Sequence, residues 1–151
     1  MAVSADLGKA LLQAVVGGKT YTPPTNWYLG LSSQAIVNDE IPAGAEPPEG
    51  IGYARKEIPN NGDYFAAPGT DGSRVAYVTN AQSIMMDEIT GGTEPTVQYF
   101  FLAETSQNSN AASASRKVSM WGSLDRARTL AVNSNLIIDT GGALFELVNV
   151  D

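Results

Sequence analysis

Apolar and polar positions alternate in short runs along most of this chain, and a helical spacing stands out near its start. Leu7, Leu11 and Val15 repeat every four residues behind Ser4, whose hydroxyl can cap a first turn carrying Asp6, and Gly17-Gly18 supplies a stop. A short amphipathic helix is therefore predicted within residues 1–18, its apolar stripe either packed on a sheet or docked on a neighbouring subunit. Thr22-Pro23-Pro24-Thr25 then enforces extended backbone. From Asn26 to Ser32, Trp27, Leu29 and Leu31 share one face while Tyr28, Gly30 and Ser32 share the other, the pattern of a half-buried strand.

Residues 33–51 gather Pro42, Pro47, Pro48, Gly44 and Gly50 with Asp39, Glu40, Glu46 and Glu49. That composition breaks a strand ladder and is too polar to bury, so a long acidic surface loop is predicted. Structureless loops beyond about 12–15 residues are often functional, which makes this one a candidate contact surface beside its alternative as solvated decoration. A second strand is predicted over Gly52–Ile58, followed by turns at Asn61-Gly62 and Asp71-Gly72. Further strands are predicted at Arg74–Thr79, Ser83–Met86, Val97–Glu104, Val118–Leu124, Thr129–Val132, Leu136–Asp139 and Ala143–Val150. Tyr99-Phe100-Phe101-Leu102 is apolar on both faces, as in a central strand. Gln107–Ser115 is small and polar and reads as a flexible loop. Strands at intervals of roughly 8–12 residues predict an all-β fold, an antiparallel β-sandwich of jelly-roll type with one short N-terminal helix, in a single domain spanning 1–151.

Composition narrows the function more than any motif does. With 43% hydrophobic residues among 151, one core is enough. A net charge of −7, from 16 acidic and 9 basic residues, opposes a phosphate backbone, so no nucleic-acid partner is expected. Cysteine and histidine are both absent. Disulfides, Cys/His zinc sites, His-dependent triads and an imidazole base are thereby excluded, and no cofactor or metal is expected. Asp6, Lys9 and Gln13 interrupt the apolar N-terminal stretch, so neither a signal peptide nor a membrane span is expected.

Candidate chemistry is sparse. Gly17-Gly18-Lys19-Thr20 ends like a phosphate-binding loop, but Gln13 stands where the leading glycine belongs, and the glycines are accounted for as a helix stop. The pairs Asp39-Glu40 and Asp87-Glu88 point to opposite faces if extended, which does not make a glycosidase dyad. Four of the nine basic residues, Arg116, Lys117, Arg126 and Arg128, fall within thirteen positions around Met120-Trp121-Gly122. They either keep a strand edge from aggregating or face an acidic partner, such as the Asp39, Glu40, Glu46 and Glu49 loop of another copy. These eight residues are the candidate partner contacts. Trp27, Tyr28 and Trp121 could stack on a sugar, although strand patterning favours the core for both tryptophans.

The order of these pieces resembles a family of small tailed-bacteriophage virion proteins, the head-fibre, decoration and tail-fibre proteins. The resemblance rests on the N-terminal helix, Thr22-Pro23-Pro24, Trp27–Ser32, Gly52-Tyr53-Ala54-Arg55, Asn80-Ala81, Val97–Leu102, Trp121-Gly122-Ser123-Leu124, Val132-Asn133 and Gly142-Ala143-Leu144. Glu94-Pro95-Thr96 and Ser134-Asn135 depart from it. It implies a non-enzymatic virion component assembled in the host bacterial cytoplasm, with other virion proteins as partners and self-association, commonly as trimers. A capsid decoration or head-fibre subunit is the first expectation; a tail-fibre or baseplate component, or a module binding host glycan, is the alternative.

Overall fold

The computed structural model describes residues 2–70, 74–112 and 114–148. Met1, the expected turn at Asp71-Gly72, Ser113 of the small polar stretch and the end of the last strand at Val150 lie outside the described residues.

In chain order the elements are β1 (Ala2–Val3), α1 (Ala5–Val16), β2 (Asn26–Ser32), a 3-10 turn (Glu49–Ile51), β3 (Lys56–Pro59), β4 (Arg74–Thr79), β5 (Ile84–Met85), β6 (Thr96–Ala103), β7 (Met120–Thr129), β8 (Ile137–Ile138) and β9 (Leu144–Val148). Five of them form an antiparallel sheet in the order β1-β7-β6-β2-β3, and β4-β9 and β5-β8 form two-stranded ribbons. The fold is mostly β, antiparallel throughout, with one short helix. No helix among the described residues is long and apolar enough to cross a membrane.

Alternation in β2 works as the spacing requires. One row across the sheet runs Val3–Met120–Leu102–Leu29 and the next runs Ala2–Trp121–Phe101–Gly30. On the first face, Trp27, Leu29, Leu31, Phe100 and Leu102 join Ile84, Ile138 and Phe145 from the ribbons in the main core. Two strand-interior glycines follow from close ring approach: Phe101 lies directly on Gly30, and a Cβ on Gly122 would meet the Phe100 ring at 2.9 Å.

Loop 33–51 covers the second face. Ile36, Ile41 and Ala45 pack on Phe101, Ala103 and Val118, and Glu46 is only 1% exposed, so the expectation that this segment is too polar to bury is corrected. Its prolines and glycines break the ladder without preventing the apolar residues between them from packing. Pro42–Ala45 closes as a turn, with Ala45 N donating to Pro42 O at 3.0 Å and Gly44 at φ 73°, leaving Ala43 and Gly44 exposed between buried Ile41 and Ala45.

Two strand boundaries also differ from expectation. The strand predicted at Gly52–Ile58 begins only at Lys56, because Gly52 takes a left-handed φ of 90° and Tyr53 and Arg55 turn inward to Glu46. The pieces predicted at Val118–Leu124 and Thr129–Val132 merge into β7. Its pairing with β6 survives at both ends, while four β7 residues, Leu124–Ala127, stand opposite the single residue Gln98.

Candidate assembly interface

Helix α1 stands on a foundation built from three separated segments. Ser4 donates its N–H to Ser119 O at 2.8 Å, and its hydroxyl accepts from Leu7 N at 3.2 Å, the cap that the sequence predicts. Val37–Glu40 is a tight hairpin whose central residues, Asn38 and Asp39, have φ of 51° and 63°, as a primed turn requires. Its tip aims the Asp39 carboxylate at the helix, where it accepts from Ala5 N at 2.8 Å and complements the positive end of the helix dipole. Asp6 in the first turn reaches Lys117 at 3.6 Å, and Arg116 reaches Glu40 at 3.4 Å. Val118 N donates to Asp39 O, and Ile41 N to Arg116 O, both at 2.9 Å.

Four of the sequence-predicted contact residues, Asp39, Glu40, Arg116 and Lys117, therefore converge at the foot of α1, where Arg116 pairs with Glu40, Lys117 with Asp6, and Asp39 accepts from the Ala5 amide. The helix stops as the glycines demand: Gly17 N and Lys19 N both donate to Gln13 O, at 3.0 and 3.1 Å, with Gly18 at φ 63°.

Three sectors run along α1. Leu7, Ala10 and Ala14 lean toward the β body and are half-buried, with an open groove of about 670 Å³ between helix and body that Tyr21, Glu104 and Ser119 also line. Burial, and then the Glu104 carboxylate, raise the Tyr21 hydroxyl above its ordinary pKa. Asp6, Lys9 and Gln13 make a polar sector. The third sector is apolar and faces away: Leu11 is 41% exposed, Leu12 65%, Val15 81% and Val16 82%, and α1 buries no residue at all. Scattered exposed apolar residues are ordinary, but four adjoining ones on a 12-residue helix form a patch. Covering such a side chain fully is worth about 1.5–3 kcal/mol. The predicted stripe is thus split: Leu7 leans on the β body, while Leu11 and Val15 face away. Leu12 and Val16 were missed by a reading that followed only the every-fourth spacing from Leu7.

The other four predicted residues lie apart. Glu46 is internal: its carboxylate accepts from Arg55 Nε at 2.8 Å, Arg55 Nη2 at 2.9 Å, Ser109 N at 2.7 Å and Tyr53 Oη at 3.2 Å. Leu31 N donates to the same Tyr53 oxygen at 2.9 Å, and the Arg55 guanidinium lies 5.0 Å over the Phe101 ring. Burial first, then the Glu46 carboxylate, push the Tyr53 hydroxyl well above its ordinary pKa. Asn108, through Pro47 O, and Asn110, through Glu46 O, join this cluster, so the stretch expected to be flexible is pinned there. Glu49, itself exposed, opens the 3-10 turn whose last residue, Ile51, is buried in the main core. Arg126 and Arg128 sit on β7, where Arg128 bonds Asp125 at 3.0 Å and its hydrogen bond lowers the Asp125 carboxyl pKa. Trp27 and Trp121 occupy opposite faces of the sheet, so the aromatic platform considered for sugars does not form. Among the described residues no group of three or more carboxylates is placed to hold a metal ion.

No curated protein matches the chain. One protein family does, described as podophage GP4 fiber I protein gp80, over residues 2–145 of the 151. A match over nearly the whole β body and α1 agrees with the resemblance carried by Trp27–Ser32 and Trp121–Leu124. The chain belongs to the podophage GP4 fiber I protein gp80 family, a family of phage virion fibre proteins.

Proposed function

We propose that this chain is a non-enzymatic structural subunit carried in many copies at the virion surface, joined to its neighbours through α1. The observation that carries the reading is the outward apolar sector of α1, with Val15 and Val16 more than four-fifths exposed on an element that is firmly capped yet fully buries no residue. An exposed apolar patch of this kind marks an interaction surface. The β body, read as a jelly-roll type sandwich, would then act as a rigid carrier. Repeated weak contacts among many copies give avidity without a strong single contact.

The capsid-bound form, a head-fibre or decoration subunit, is the first reading, in keeping with a single β module carrying one short helix. The tail-fibre or baseplate form is supported by the family's description as a fibre. Co-sedimentation of the purified protein with particles lacking it separates them. Stoichiometric binding to empty heads establishes the first, binding only to isolated tails establishes the second, and binding to neither overturns both forms and turns the search to a host glycan.

A further inference from the structure

Arg116 and Lys117 are accounted for at the foot of α1, but the other two clustered cations are not. Arg126 is exposed, and its guanidinium makes no hydrogen bond or ion pair with any described residue. Arg128 is half-buried and only partly engaged. Asp125 takes its Nη2 at 3.0 and 3.2 Å, while Nε and Nη1 have no partner among the described residues. Both arginines line one hollow of about 360 Å³, between the end of β7 and the segment 134–137. That volume lies within the range of about 300–1,000 Å³ usual for small-ligand sites.

The hollow is built on rigid parts. Leu130, 3% exposed, and the half-buried Leu136 join it to the main core. Its far wall is pinned by Ser134, whose hydroxyl donates to Ala131 O at 2.6 Å, and by Asn135, whose amide donates to Met86 O at 3.0 Å. The near wall is the stretch where β7 sets four residues against Gln98, and bulges of this kind re-aim side chains that a regular ladder would place elsewhere. Among the described residues no aromatic ring lines the hollow, so a guest is held there by charge and hydrogen bonds rather than by stacking.

We propose that this hollow is an oxyanion site, in which Arg126 and Arg128 together hold one carboxylate or phosphate, free in solution or borne on a sugar ring. A guanidinium presents a planar fork of donors matched to those groups, and Asp125, by gripping one nitrogen of Arg128, fixes the direction of the others. A net charge of −7 opposes a polyanion, but not a single oxyanion meeting two cations at one point. The acidic loop of another copy is a poor rival occupant: Glu46 is buried, and Asp39 and Glu40 are already engaged beside α1. Because Arg126 and Arg128 repel one another, an anion between them stabilises the fold by mass action. The site is separate from α1 and goes beyond the reading of that helix as an assembly face.

The experiment is a titration of the purified, isotope-labelled protein, followed by amide chemical shifts and by Tm at low, matched ionic strength. The probes are potassium phosphate, galacturonic acid, neutral galactose and, as a control for screening, potassium chloride. The expected result is a saturable shift of amides in β7 and in segment 134–137 with phosphate or galacturonic acid, a rise in Tm with the same probe, and no response to galactose or chloride. Arg126→Gln and Arg128→Gln should each weaken that binding at least about tenfold, the equivalent of one charge-assisted hydrogen bond. Arg116→Gln, away at the foot of α1, should bind as the parent protein does. Tighter binding of galacturonic acid than of phosphate assigns the site to a sugar acid; binding of phosphate at least as tight assigns it to a free anion. An equal response to chloride, binding that survives Arg126→Gln, or no saturable shift with either oxyanion overturns the inference. None of these outcomes involves heads, tails or α1, so the virion role stands or falls separately.

Discussion

Glu46 shows how a charged residue in a polar loop comes to lie inside the protein. Its two oxygens take four hydrogen bonds, from Arg55, Tyr53 and the Ser109 amide, so nothing is left over for water. Breaking one half of such a buried pair strands the other charge, and Glu46→Gln is expected to cost about 3–5 kcal/mol, read as a lower urea midpoint. Tyr53 carries the pH dependence of the same cluster. Because burial and Glu46 raise its pKa, the folded form keeps the proton where the unfolded chain loses it. That contribution is complete below about pH 10 and is lost as pH rises beyond it. The stability advantage of the native protein over Tyr53→Phe should accordingly be constant from pH 7 to 9 and shrink above pH 10; a constant difference across that range would refute the assignment.

The helix and the long loop fared differently as elements read from sequence, for a physical reason. α1 runs over Ala5–Val16 as its signals state, because Ser4 and Gly17-Gly18 act on neighbouring backbone groups. Burial of Ile36 and Ile41 depends on Phe101, some sixty residues on, and no local pattern encodes that contact. Likewise the charges of Asp39, Glu40, Arg116 and Lys117 were legible as complementary, but not that they would meet within one chain at the foot of a helix. That location gives α1 a stability of its own. Since the helix fully buries no residue, Ser4→Ala should cost it about 1 kcal/mol and speed hydrogen exchange in its first turns while leaving the melting of the β body unchanged. A fall in global Tm would show that α1 and the body melt together.

At the scale of the whole molecule, a charge of −7 on every copy sets subunits against one another. Salt shortens the Debye length from about 30 Å at 0.01 M to about 3 Å at 1 M. An assembly held by the apolar side of α1 should therefore tighten as salt rises, visible as growing mass in light scattering; one held by complementary charges would loosen. A practical consequence lies in the turn at Pro42–Ala45, whose exposed apex is bracketed by two anchored residues. A peptide grafted between Ala43 and Gly44 would sit outside both anchors and be presented once per subunit, whereas the same graft two residues later would split the chain beside Glu46 and unfold it.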